Sequence, residues 1–164
     1  MPRRLVIFDL DETLVHATEE HLGRVADFSF PPYNVYVRPH VQELLAFVRQ
    51  HFDIAVWSSA QPDYVSQVAD ELFGQHTPLR FVWSVERCVQ RPDPQSNGYV
   101  YIKDLRKVQS QGYPVELVTL VDDSPEKVRR QPRNHLRVRP FCGETTDTEL
   151  LSIQGKLAEL VSNS

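Results

Sequence analysis

Four short runs in the chain are apolar at every position or at all but one: residues 5–8, 54–57, 81–83 and 117–121. A strand with one wet face alternates apolar and polar residues. A run without that alternation is covered on both faces, and runs this short do not make a helix. They read as strands inside a sheet, with residues 136–138 as a weaker fifth. Between the runs the period becomes that of a helix. Val41, Leu44, Leu45 and Val48 recur at i, i+3, i+4 and i+7 behind Pro39. Val65, Val68, Ala69 and Leu72 repeat the spacing between Pro62 and Gly74. Leu150, Leu157, Leu160 and Val161 suit a last helix starting near Thr146 and Asp147. Strands alternating with helices imply parallel strand–helix–strand units, so an α/β fold is expected.

Two stretches interrupt the alternation. Residues 16–38 hold Phe28, Phe30, Tyr33, Val35 and Val37 and read as a small antiparallel insertion. Residues 86–102 place Asn97-Gly98 between two β-rich pieces and read as a hairpin or a long loop. With 164 residues, no repeat and no linker-like tract, residues 1–164 are expected to form one domain. The 41% hydrophobic and 24% charged content is that of a globular protein rather than a disordered one. No stretch approaches the ~20 apolar residues that cross a bilayer, and the first residues lack a signal-peptide pattern. A cytoplasmic location is expected, or a nuclear one if the source is eukaryotic. Cys88 and Cys142 are far apart and fit neither a disulfide framework nor a zinc site.

Acidic residues stand where the strands end. Asp9 follows the first run, with Asp11 two positions on; Ser58 follows the second; Asp122 and Asp123 follow the fourth. In an open α/β sheet ligands sit beyond the carboxyl ends of the strands. If these strands are neighbours, several carboxylates and a hydroxyl meet at one rim. Clustered carboxylates repel and lose hydration, and a divalent cation removes that conflict. An oxygen-only donor set favours magnesium, which shares its shell with water and phosphate.

The landmarks around these acids carry a resemblance. Asp9-Leu10-Asp11-Glu12-Thr13 resembles the DxDx[TV] motif of the haloacid dehalogenase superfamily in its phosphatase version. Extended to Leu14-Val15-His16, it is similar to the opening of the phosphatases of the RNA polymerase II C-terminal domain, the NLI-interacting-factor-like family. Val37-Arg38-Pro39-His40-Val41, Trp57-Ser58-Ser59-Ala60, Tyr101-Ile102-Lys103-Asp104-Leu105, Val121-Asp122-Asp123-Ser124-Pro125 and Thr146-Asp147-Thr148-Glu149-Leu150 resemble further segments of that family, in its order. The resemblance implies a three-layer αβα Rossmann-like sheet of the haloacid dehalogenase type, with a short insertion after the first strand. The activity it implies is a Mg2+-dependent phosphatase working through an aspartyl-phosphate.

It also implies roles. Asp9 is the nucleophile and a metal ligand. Asp11 is the general acid and then the base, with its carbonyl on the metal. Ser58 binds the phosphoryl group, helped by backbone N–H groups of Ser59 and Ala60. Lys103 neutralises phosphate and holds Asp9. Asp123, where the family commonly has Asn, is the third metal ligand and Asp122 supports it, although the reverse assignment stays open. Thr13 either ties the loop or caps the next turn. His16 is expected to be structural.

Charge is uneven. Residues 1–75 carry five basic against eleven acidic residues, and residues 76–164 thirteen against eleven. The densest basic run is Lys127, Arg129, Arg130, Arg133, Arg137 and Arg139. It is either a solvated face or, through Arg129, Arg130 and Arg133, a surface for the rest of an anionic substrate. Phe28, Phe30, Pro31, Pro32 and Tyr33 form either an apolar pocket or a plug that packs the insertion onto the sheet. The expected substrate is a phosphoserine or phosphothreonine protein. Phosphorylated nucleic-acid ends or small metabolites are the alternative, and a silent phospho-ligand binder the second. No membrane partner is expected.

Overall fold

The computed structural model describes residues 3–163. The central element is β1 (Leu5–Phe8), whose four side chains are all fully buried. Burying each is worth about 1.5–3 kcal/mol, so this tetrapeptide alone anchors the middle of a sheet. It pairs in parallel with β5 (Asp53–Trp57) on one side and β9 (Val118–Asp122) on the other. β6 (Val82–Trp83) extends the sheet beyond β5 and β10 (His135–Arg137) beyond β9. The order is β10-β9-β1-β5-β6, all parallel. The chain therefore moves outward from β1 through β5 to β6 and then returns to the other side of β1. The switch point lies between β1 and β9, where the carboxyl ends of two buried strands splay chain away from each other and open a crevice.

Alternate residues of β1 feed two cores. Val6 and Phe8 join a cluster with α1 (Val41–His51), α2 (Pro62–Phe73) and α3 (Glu149–Ser162). Leu5 and Ile7 join the opposite cluster with Trp57, Trp83, Leu105, Val108 and Val128. The helical layer on that second face is made of 3-10 segments, Leu105–Gln111 and Pro125–Val128, rather than α-helices. The expected α/β architecture is thus present, with an uneven pair of outer layers. Both cysteines are free.

The two interruptions fold as small antiparallel sheets. The first is β2 (Val15–Thr18), β3 (Phe28–Phe30) and β4 (Tyr33–Val37), in the order β2-β4-β3. The second is a hairpin of β7 (Val89–Asp93) and β8 (Gly98–Ile102), turning at Asn97, whose φ of 57° is left-handed, and Gly98. Asn tolerates that conformation better than most residues. The hairpin has a positional consequence, because Lys103 follows directly on β8. Its N–H donates to the Lys127 carbonyl at 2.7 Å, which ties the hairpin exit to the turn after β9.

Candidate active site

The site starts at the last residue of the β1 ladder. The Asp9 N–H donates to the Val121 carbonyl at 3.0 Å, continuing the pairing with β9 one step past the strand. The chain then closes a tight loop. The Leu10 carbonyl accepts from the N–H groups of Thr13, Leu14 and Val15, and Leu10 and Leu14 are buried beneath it. Glu12 takes a left-handed φ of 62° to make the turn. For a residue with a side chain this costs about 1–3 kcal/mol, and such strain concentrates at functional sites. The loop folds Thr13 back so that its hydroxyl donates to Asp9 Oδ2 at 2.9 Å, with Asp123 Oδ1 3.4 Å away.

Lys103, fully buried, supplies the counter-charge. Its Nζ donates to Asp9 Oδ1 at 3.0 Å and to Asp122 Oδ2 at 2.6 Å. Asp122 Oδ1 accepts the Ser124 N–H at 2.8 Å, so both Asp122 oxygens are engaged. Asp9, Asp122 and Asp123 each offer an oxygen within 4.8 Å of the others. The energetics follow from crowding. Burial works against the Asp9 charge, but Lys103 and then Lys127 overcome it and hold its carboxyl below the ordinary value. Burial also opposes the Lys103 charge, and Asp122 and Asp9 outweigh it, keeping the lysine charged. Asp122 is pushed up by burial and by the charge of Asp9. Asp123 is pushed up to about 7 by burial, by the charge of Asp9 and by its contact with Asp9. Three carboxylates facing one ammonium leave a surplus of negative charge that a divalent cation matches, and the donors are all hard oxygens. The residues present therefore fit magnesium.

Asp11 points elsewhere. Its Oδ1 accepts from the Tyr64 hydroxyl, on the second residue pair of α2, and burial followed by the charges of Asp9 and Glu12 outweighs that bond to push its carboxyl up to about 6. It opens onto a cleft of about 420 Å³ lined also by Phe30, Tyr33, Ala60 and Tyr64. The insertion thus does both things its sequence allowed: Phe28 and Phe30 pack against the core, while Phe30 and Tyr33 also wall the cleft.

Ser58 is buried at the end of β5, its N–H donating to the Trp83 carbonyl at 2.9 Å. Its hydroxyl accepts the Ala60 N–H at 3.0 Å, and α2 begins only at Pro62. Ser59 and Ala60 therefore lie on the loop before α2, whose first turn is set by Pro62, and the Ala60 N–H is already engaged by Ser58. Ser59 Oγ accepts from Lys127 Nζ at 2.8 Å. The basic run is scattered. Arg130 donates to Asp104 Oδ2 at 2.9 Å, Arg129 borders a separate cavity beside the β7–β8 hairpin, and Arg133 lies exposed on the 3-10 turn Pro132–Asn134. His16 bonds Glu12 at 2.7 Å.

Arg38 stands in the Val37–Val41 motif with no role implied by it, yet it braces the Asp9 loop. It is buried, pairs with Asp147 through Nε at 2.8 Å and Nη2 at 2.9 Å, and donates through Nη1 to the Thr13 carbonyl at 3.1 Å. A charged residue directly after the largely buried end of β4 was the available signal. Lys127 had its place at the head of the basic run, and Tyr64 had no signal beyond its nearness to Ala60.

The sequence profile of the NLI interacting factor-like phosphatases matches residues 4–164. The chain belongs to that family. This NLI interacting factor-like chain is 33% identical over 159 residues to the human CTD small phosphatase-like protein, covering 92% of this chain and 54% of that protein. It is 28% identical over 166 residues to CTD nuclear envelope phosphatase 1 of Xenopus tropicalis, covering 92% and 64%. The chain thus spans about half to two thirds of the length of these relatives. Among solved structures it resembles Fcp1, an essential RNA polymerase II CTD phosphatase, with a TM-score of 0.65, 19% identity, and coverage of 98% of this chain and 48% of that one. A haloacid dehalogenase-like hydrolase from Xanthomonas campestris aligns with a TM-score of 0.63 at 12% identity, covering 99% and 97%. Both likenesses place the fold in the haloacid dehalogenase class. Among the described residues no helix is long and apolar enough to cross a membrane.

Proposed function

We propose that the chain is a magnesium-dependent phosphomonoester hydrolase that works through an aspartyl-phosphate, with phosphoserine or phosphothreonine in a protein as substrate. The observation that carries the reading is the division of labour between two acids of one loop. Asp9 is held ionised by Lys103, while Asp11, two residues on, has its carboxyl pushed up to about 6 and faces an open cleft, so it takes up and gives back a proton far more readily than Asp9. A nucleophile needs the first property and a general acid and base the second.

Magnesium would be held by Asp9, Asp123 and the Asp11 carbonyl, with Asp122 in support because it is the fully buried member of its pair while Asp123 is partly open; when bound it offsets the negative charge of the carboxylates and the phosphate. Asp9 attacks phosphorus in line, and the phosphorus–oxygen ester bond breaks. Asp11 passes its proton to the leaving oxygen. The carboxylate of Asp11 then takes a proton from water, whose oxygen attacks phosphorus and frees Asp9. Lys103 and Thr13 keep Asp9 aimed throughout, and Ser58 and Ser59 border the phosphoryl group. The aromatic wall of Phe30, Tyr33 and Tyr64 beside Asp11 suits the apolar neighbour of a phosphorylated side chain, which favours a peptide over a small metabolite. Arg130 is spent on Asp104, which weakens a nucleic-acid reading of the basic run. Free thiols at Cys88 and Cys142 agree with a reducing compartment, cytoplasmic or nuclear.

The test is turnover of p-nitrophenyl phosphate and of a phosphoserine peptide. Uncatalysed monoester hydrolysis is so slow, with enzymatic accelerations reaching ~10²¹, that loss of the nucleophile leaves nothing to detect. Asp9→Asn should abolish turnover while retaining the fold, and a chelator should silence the wild type until magnesium is restored. Undiminished turnover in Asp9→Asn, or hydrolysis indifferent to chelation, would overturn the reading.

A further inference from the structure

We infer that Lys127 is a second phosphoryl-binding cation, which together with Ser59 holds the phosphate at the mouth of the site while Lys103 holds Asp9. The inference rests on the phosphomonoester reading above and names a residue that this reading does not use.

The two lysines differ in what they are bonded to. Lys103 is fully buried and committed to two carboxylates. Lys127 is half-buried on the turn Pro125–Val128, directly after Asp122 and Asp123. Among the described residues its Nζ has no carboxylate within 4.0 Å, and it rests on the neutral Ser59 hydroxyl at 2.8 Å. Its backbone is nonetheless well placed, since its carbonyl holds the Lys103 N–H at 2.7 Å. Through Ser59, which adjoins the buried Ser58 past the end of β5, and through its own place four residues after Asp123, Lys127 sits at the rim where the carboxyl ends of β5 and β9 meet the site.

Charge balance supplies the second strand. Asp9, Asp122 and Asp123 against Lys103 leave two negative charges, and a divalent cation offsets them. A phosphomonoester dianion then brings two more, with Lys103 already committed. An ammonium that exchanges a neutral hydroxyl for an ionised oxygen gains a shorter and stronger bond. Lys127 does so by leaving Ser59 Oγ for a phosphoryl oxygen, which frees the Ser59 hydroxyl to donate to another.

The experiment compares wild type, Lys127→Gln and Lys127→Arg at saturating magnesium. Glutamine can keep the bond to Ser59 and removes only the charge. Calorimetric titration with inorganic phosphate and steady-state kinetics on p-nitrophenyl phosphate are both read. Lys127→Gln should weaken phosphate binding and raise KM about tenfold, with kcat within about threefold, the pattern of lost uniform binding. Lys127→Arg should restore both to within about threefold of wild type. Phosphate affinity and KM unchanged in Lys127→Gln would overturn the inference and leave the hydrolase reading standing. A wild type that binds phosphate in a Lys127-dependent way but turns nothing over would support the inference and overturn the hydrolase reading. If Lys127→Gln melts early, the arginine variant decides: phosphate affinity restored in a folded protein supports the role, and affinity lost despite the retained charge and a wild-type melt overturns it.

Discussion

Replacing Arg38 by methionine isolates the brace that holds the Asp9 loop. The guanidinium is wholly buried, its partner Asp147 is 13% exposed, and the pair is bidentate. Methionine fills similar apolar volume but leaves the Asp147 carboxylate without its ion pair and the Thr13 carbonyl without a donor. Breaking one partner of a buried pair costs about 3–5 kcal/mol, and an orphaned carbonyl about 1 kcal/mol more. Against the ~5–15 kcal/mol that holds a domain together, the expected loss of about 4–6 kcal/mol is severe. At about 2–4 °C per kcal/mol for a chain of this size, the melting point should fall by about 8–24 °C. Trp57 and Trp83 are buried, so urea unfolding followed by tryptophan fluorescence reads the change directly. The double variant Arg38→Met/Asp147→Leu removes both charges and should recover a substantial part of the loss, because the largest penalty is the carboxylate left behind. A single variant destabilised by less than about 1 kcal/mol, or a double variant whose cost equals the sum of the singles, would refute this account of the brace.

Two other perturbations test the electrostatics. Arg106, with Arg130 and Gln131, holds the Asp104 carboxyl well below the usual range despite its burial. A carboxyl depressed on folding contributes stability above its unfolded pKa, near 4, and loses it as pH falls through the folded value. Asp104→Asn should therefore flatten the acid limb of stability below about pH 4, by about 1 kcal/mol given how exposed Arg106 is, while changing the slope near pH 7 little; an unaltered acid limb in urea titrations would contradict the assignment. Asp123→Asn removes one of three crowded carboxylates, so magnesium affinity measured by calorimetry should drop about tenfold while metal-free stability rises, and equal affinity in both proteins would remove Asp123 from the metal-binding set.

Local pattern made much of the fold legible. The run before Asp9 has no polar residue to turn outward, so a doubly covered strand was its only economical state, and β1 is buried at all four positions. The spacing of Val41 to Val48 and of Val65 to Leu72 located α1 and α2 because one face had to be hidden. Asp9, Asp122 and Asp123 could be singled out because each sits where a buried strand must end. The second face of the sheet was less legible, since 3-10 segments such as Leu105–Gln111 are too short to carry a period.

By itself the sequence determined which segments must be buried, and hence the parallel core and the positions of the acids at its rim, because burial is written residue by residue. Apart from the Lys103 contact with Asp9, which the family resemblance implied, only the tertiary structure decided which polar groups meet. Lys127 reaches Ser59 across 68 residues, and Arg38 reaches Asp147 across 109. Whether Arg130 serves a ligand or Asp104 is likewise a matter of which turns pack together. The reason is physical: apolar burial is non-directional and readable from composition along the chain, whereas a hydrogen bond or ion pair needs two groups within about 3 Å at a set angle, which only the packed arrangement of distant elements supplies.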